Sequence, residues 1–124
     1  MKIVYEYSHL GGAEILQVRY PQINQEVNDV IHAVKGRRLK ESREKTKQGR
    51  MLFSPIDLNQ QFLNGFNEKG FSEIRDTYTI EIPGSPVKIS GAYKQVDFSK
   101  DRILVEVQFG KYPFMFYDLA KFQY

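Results

Sequence analysis

Asp97, Glu106 and Gln108 are the residues of this 124-residue chain whose types and spacing could do chemistry together. Read as a strand, Ile103-Leu104-Val105-Glu106-Val107-Gln108-Phe109 puts Ile103, Val105, Val107 and Phe109 on one apolar face. Glu106 and Gln108 fall on the other. Glutamate is disfavoured in mid-strand, and a buried carboxylate needs a partner; a divalent cation is one candidate. A hairpin turning around residues 99–102 brings Asp97, at the end of the preceding strand, opposite or diagonal to Glu106. Two carboxylates and a backbone carbonyl offer hard oxygen ligands, which suit Mg²⁺ with several retained waters. Such an ion activates water and neutralises charge on a phosphate. Plain polar–apolar alternation on a half-exposed hairpin is the competing source of the pattern.

The elements that must position these residues follow from periodicity. From Gln22, apolar side chains at Ile23, Val27, Val30, Ile31 and Val34 trace one face of a helix over 22–34. Ala13 to Arg19 makes a shorter helix, stopped before Pro21 because the residue preceding proline avoids the α region. Ser54-Pro55 starts another helix, with serine as cap and proline in the first turn. Leu58, Phe62, Leu63 and Phe66 form its apolar side, and it ends near Lys69-Gly70. Beyond that the period is two: strands at Ile74–Ile82, Ala92–Phe98 and Ile103–Phe109, then a helix within the aromatic run Tyr112–Tyr124. Helices followed by a β-meander and a further helix define an α+β chain, read as one domain over 1–124.

Charge is distributed unevenly. The chain has 18 Lys and Arg against 15 Asp and Glu, for a net +3, yet Lys35–Arg50 alone holds eight basic and two acidic residues. A local +6 on a body near −3 is what a phosphate-contacting loop looks like, and also what a solvated loop looks like. With Leu39 as its only large apolar side chain, the segment reads as a mobile loop or an exposed helix extension. The absence of cysteine excludes a disulfide framework, thiolate catalysis and Cys-containing zinc sites. His9 and His32 are too far apart in sequence to form a local ligand pair, and no glycine-rich phosphate loop occurs. No apolar run approaches the roughly 18 residues of a membrane span. The N-terminus lacks a signal peptide's apolar core, so a cytoplasmic location is expected.

The longer string Asp97-Phe98-Ser99-Lys100-Asp101-Arg102-Ile103-Leu104-Val105-Glu106-Val107-Gln108-Phe109-Gly110-Lys111-Tyr112-Pro113-Phe114 resembles the active-site segment of BglII/BstYI-type restriction endonucleases, the BstYI-like branch most of all. Upstream blocks extend the likeness: Ile3-Val4, Tyr7-Ser8-His9-Leu10, Lys40-Glu41-Ser42-Arg43-Glu44-Lys45-Thr46-Lys47-Gln48-Gly49 and Ser54-Pro55.

The resemblance implies a restriction-endonuclease-like PD-(D/E)xK core, a mixed central sheet flanked by helices, with glutamine in place of the usual lysine. Asp97 and Glu106 then match the metal ligands, the Val107 carbonyl completes the protein's share of Mg²⁺ coordination, and Gln108 matches the glutamine. A neutral amide cannot deprotonate water, so Gln108 is cast as positioning it. Lys111 matches a residue that approaches the outer base pair, where lysine can donate to guanine O6 or N7; a phosphate-contacting or solvated role is its alternative. Lys40, Arg43, Lys45 and Lys47 become backbone contacts, dimer-interface residues or solvated side chains. The implied activity is Mg²⁺-dependent hydrolysis of duplex DNA at a GATC-centred, RGATCY-like palindrome by a homodimer, with a cognate DNA methyltransferase sparing host DNA. Family members run on past the position of Tyr124, so the resemblance also implies an N-terminal portion. A truncated, non-catalytic DNA-binding or dimerising remnant is the alternative.

Overall fold

In the computed structural model, which describes residues 1–43, 45–110 and 113–122, the chain divides into two compact units, Met1–Gly70 and Phe71–Tyr124. The first unit holds α1 (Gly12–Arg19), α2 (Pro21–Ala33), β1 (Arg38–Glu41), a 3₁₀ turn (Lys45–Lys47), β2 (Met51–Phe53) and α3 (Pro55–Glu68). The second holds β3 (Ser72–Glu81), β4 (Lys88–Lys100), β5 (Ile103–Val105) and α4 (Pro113–Lys121). The chain is α+β, as the periodicity indicates. Both sheets are antiparallel: a two-stranded β1–β2 and a three-stranded sheet in the order β3–β4–β5. Among the described residues no parallel pair completes the mixed central sheet implied by the resemblance.

The first unit is built on α2 against α3. Ile23, Val30 and Val34 are buried on α2's apolar stripe, and Leu58, Phe62 and Phe66 on α3's. Phe66 is 1% exposed, and burying a side chain of that size contributes about 1.5–3 kcal/mol. Leu63, expected on the same side of α3, lies on its exposed flank instead. Ser54 caps α3 as its sequence indicates, its hydroxyl accepting from the Asp57 N–H at 3.4 Å. Gly65 lets the helices approach closely: a Cβ there would lie 3.0 Å from Val30 Cγ1.

The basic segment is neither a bare loop nor a helix extension. Residues 38–53 form a hairpin, because Leu39, Met51, Leu52 and Phe53 supply strand-forming side chains that flank the cations. Its entry is fixed to α3 through Gln61, whose side chain accepts from the Lys35 N–H at 2.8 Å and donates to the Lys35 carbonyl at 3.0 Å. Arg37 adds a bidentate ion pair with Asp57.

In the second unit, Val96 and Phe98 are buried on one face of β4 and Phe71 is buried beside the start of β3. No described helix is long and apolar enough to cross a membrane.

Candidate active site

The turn between β4 and β5 sets the geometry of the candidate site. Lys100 pairs with Ile103, leaving Asp101-Arg102 as a two-residue loop in which both residues have positive φ, 47° and 70°. That is the signature of a type I′ turn, whose twist matches that of the flanking strands. The register then runs Ser99 to Leu104 and Phe98 to Val105. One further step sets Asp97 across from Glu106, the closer of the two arrangements the sequence allows.

A second irregularity frees Asp97 from the ladder on its other side. Ser72 pairs with Ser99 but Ile74 with Val96, so Glu73 alone on β3 faces both Asp97 and Phe98 on β4. Bulges of this kind redirect a side chain and release a backbone N–H. Here the released Asp97 N–H donates to Glu106 Oε2 at 3.2 Å. The Val107 N–H in turn donates to Asp97 Oδ2 at 3.0 Å. This second bond ties the chain beyond β5 to β4 by a side chain, and β5 itself ends at Val105, short of the strand to Phe109 expected from alternation. Ile103, Val105, Val107 and Phe109 are half-buried and Leu104 and Gln108 exposed, while Glu106, which accepts from the Asp97 N–H, is half-buried as well. Gln108 Nε2 donates to the Gly110 carbonyl at 2.7 Å.

Glu73 and Gln95, which the sequence reading does not single out, form a hydrogen bond at 2.7 Å from Gln95 Nε2 to Glu73 Oε2. Gln95 lies two residues before Asp97 on β4, and the pairing of Ile74 with Val96 sets the next residue, Glu73, beside Asp97. That register is set by cross-strand pairing, which leaves no trace in local composition.

The structure thus brings Asp97, Glu106 and the main chain of Val107 together, with Gln108 next in line. Two carboxylates and a carbonyl from adjoining strands form a hard, oxygen-only donor set, compatible with an ion that keeps several waters. Among the described residues no group of three or more His, Cys, Asp or Glu side chains could hold a metal, so a fully protein-caged ion does not fit. Lys40, Arg43, Lys45 and Lys47 lie in the β1–β2 hairpin of the first unit, all exposed. Lys111 lies outside the described residues.

Asp97, Glu106 and Gln108 thus lie close together along one bulged antiparallel hairpin of an α+β chain. The family model for the restriction endonucleases BglII/BglIII matches residues 4–124, and the chain belongs to that family, which consists of type II site-specific deoxyribonucleases. A search of curated proteins found no match.

Proposed function

We propose that this chain hydrolyses phosphodiester bonds of duplex DNA with Mg²⁺ as cofactor, at a GATC-centred palindrome of the RGATCY type, as a homodimer. The reciprocal hydrogen bonding of Asp97 and Glu106 carries the reading. Two acids whose positions are set by main-chain donors are preorganised for a shared ligand, where a solvated pair would splay apart.

Asp97, Glu106 and the Val107 carbonyl would hold the ion. When bound, it supplies charge neutralisation at the scissile phosphate and a more acidic attacking water. The chain's own groups do the remainder. Gln108, fixed at its Nε2 end by Gly110, presents its amide oxygen to a water hydrogen and aims the water's lone pair at phosphorus. The bond from the water oxygen to phosphorus forms as the opposite P–O bond to the sugar breaks; the water gives up its proton to solvent, and solvent supplies the leaving oxygen with one. Lys111 would donate to the outer purine, and Lys40, Arg43, Lys45 and Lys47 would contact backbone phosphates. A nuclease of this kind requires a methyltransferase partner to protect host sites.

Incubating a plasmid bearing RGATCY sites with the protein, in Mg²⁺ and in EDTA, tests the reading. Discrete fragments in Mg²⁺ alone are expected. An intact plasmid under both conditions, with DNA binding retained, would instead favour the non-catalytic remnant.

A further inference from the structure

A cleft of about 290 Å³ opens on the β1–β2 hairpin, lined by Arg38, Lys47, Arg50, Met51, Leu52 and Phe53. Of the six described residues that line it, three are cations and none is an acid, although Glu41 belongs to the same hairpin. The cleft is a consequence of how the loop closes. The Ser42 N–H donates to the Arg50 carbonyl at 2.8 Å, which pins the neck of the loop, and Ser42 itself is buried. Within the neck, the 3₁₀ turn at Lys45–Lys47 and Gly49, at φ 78°, fold the chain back so that the Arg50 N–H donates to the Lys47 carbonyl at 3.1 Å. Lys47 and Arg50 are therefore held on one closed loop. Arg38 reaches the cleft from the facing strand, its guanidinium 5.4 Å from the centre of the Phe53 ring. One side of that half-exposed ring lies against Gly36, where a Cβ would come within 3.0 Å of Phe53 Cε1.

Three cations on a hydrogen-bonded scaffold, beside the apolar side chains of Met51, Leu52 and Phe53, make a site for a singly charged tetrahedral oxyanion. Planar guanidinium groups suit paired phosphate oxygens, and Lys47 adds a point charge. We infer that this cleft grips one backbone phosphodiester of duplex DNA, with Arg38, Lys47 and Arg50 as its donors, and so contributes affinity without reading sequence. The inference rests on the reading of the protein as a DNA nuclease. It goes beyond a general basic loop by separating Lys47, with Arg38 and Arg50, from the cations outside the cleft.

Counterion release gives a direct measurement. Each phosphate neutralised adds about −0.9 to the slope of log binding constant against log salt on duplex DNA. The slope is measured for the full chain in EDTA, which leaves the duplex intact, on two duplexes of unrelated sequence. Lys47→Gln, Arg50→Gln and Arg38→Gln are each expected to make the slope shallower, equally on both duplexes, whereas Lys88→Gln, on the β3–β4 hairpin, is expected to leave it unchanged. Lys47→Gln and Arg50→Gln both change exposed positions and together decide the matter even if Arg38→Gln disturbs the packing on Phe53. A wild-type slope for folded Lys47→Gln and Arg50→Gln overturns the inference. The two readings fail separately. Plasmid cleavage with an unmoved slope removes the phosphate cleft alone. Cleft-dependent binding without cleavage removes the nuclease reading and leaves the cleft standing. A wild-type chain that binds no duplex removes both.

Discussion

Asp97 and Glu106 are bound to each other's strands: the Asp97 N–H donates to Glu106 Oε2 at 3.2 Å, and the N–H next to Glu106, that of Val107, donates to Asp97 Oδ2 at 3.0 Å. Two carboxylates side by side repel each other, and a main-chain N–H on each offsets part of that repulsion. The arrangement depends on the β4 bulge, because in a regular ladder the Asp97 N–H faces a neighbouring strand. The acids are thereby placed by the fold, independently of any ligand.

Asp97→Asn and Glu106→Gln keep an oxygen to accept those hydrogen bonds while removing a charge. Both variants are expected to fold, with unfolding free energy within about 1 kcal/mol of wild type. Cleavage is expected to fall by about a hundredfold or more, since even residues that merely orient metal ligands cost about 10–100-fold. Thermal melts and plasmid digestion on the same preparations check both halves.

Ligand binding to the native state alone raises stability, by about 2.7 kcal/mol at a hundredfold excess over Kd. Saturating Mg²⁺ is therefore expected to raise the Tm of the wild-type protein and to leave that of Asp97→Asn nearly unmoved. An equal rise in both would place the binding site elsewhere.

Arg102 occupies the second position of the type I′ turn at φ 70°, where glycine is the favoured residue. A left-handed conformation costs a residue with a Cβ roughly 1–2 kcal/mol, partly offset by the greater chain entropy glycine loses on folding. Arg102→Gly is expected to stabilise the protein by about 0.5–1 kcal/mol in chemical denaturation. A loss of stability would mean that the Arg102 side chain makes contacts outweighing the turn strain.

Gly65 lies mid-helix, where alanine normally gains about 1 kcal/mol. Its Cβ position, however, is 3.0 Å from Val30 Cγ1, and Val30 is 3% exposed and boxed in by the α2–α3 core. Overpacking costs about 1–3 kcal/mol, so Gly65→Ala is expected to be net destabilising by about 1 kcal/mol. Pairing it with Val30→Ala, which opens that space, should recover the helix-propensity gain in a double-mutant cycle.

How much of this could be read from the sequence divides along physical lines. The helices were legible because their apolar stripes at Ile23, Val30 and Val34, and at Leu58, Phe62 and Phe66, repeat with the helical period, and Ser54-Pro55 marks a start without tertiary help. The acid pair was legible as far as a hairpin near residues 99–102. Its exact register depends on φ at Asp101 and Arg102, and neither asparagine nor glycine is present to announce a type I′ turn. The basic hairpin was missed because its strands are short and mostly charged. Cross-strand pairing and the Gln61 clamp, both non-local, hold it in place. Glu73 enters the neighbourhood of Asp97 through the β3–β4 register, which local composition does not encode.

Glu14 offers a prediction about pH. The Ser8 hydroxyl donates to Glu14 Oε2 at 2.7 Å, and this bond, with Glu14's own backbone N–H, holds its carboxyl below the ordinary value of 4.5. A depressed folded-state pKa contributes stability above the unfolded value, and that contribution is lost as pH falls through the lowered one. Ser8→Ala is expected to return the Glu14 titration, followed by NMR, toward 4.5. It also removes the acceptor for the Ala13 N–H, so the start of α1 should exchange amide protons faster.

Gln108 tests how the attacking water is held. Its Nε2 donates to the Gly110 carbonyl at 2.7 Å, and Gly110 sits at φ 76°, so the anchor depends on a backbone conformation that side-chain-bearing residues rarely adopt. With the nitrogen end fixed, the amide oxygen is left to accept from a water. If that is its role, Gln108→Ala should lower the single-turnover cleavage rate by about 10–100-fold while leaving DNA affinity, measured in EDTA, unchanged. Gln108→Glu has no donor for the Gly110 carbonyl and places a negative charge beside it, so it should fall at least as far as alanine. Gln108→Lys can still donate to that carbonyl but has no oxygen to accept from a water, so it should fall about as far as alanine. Wild-type cleavage by Gln108→Ala would remove the positioning role and leave Asp97 and Glu106 as the only side chains with work in the reaction.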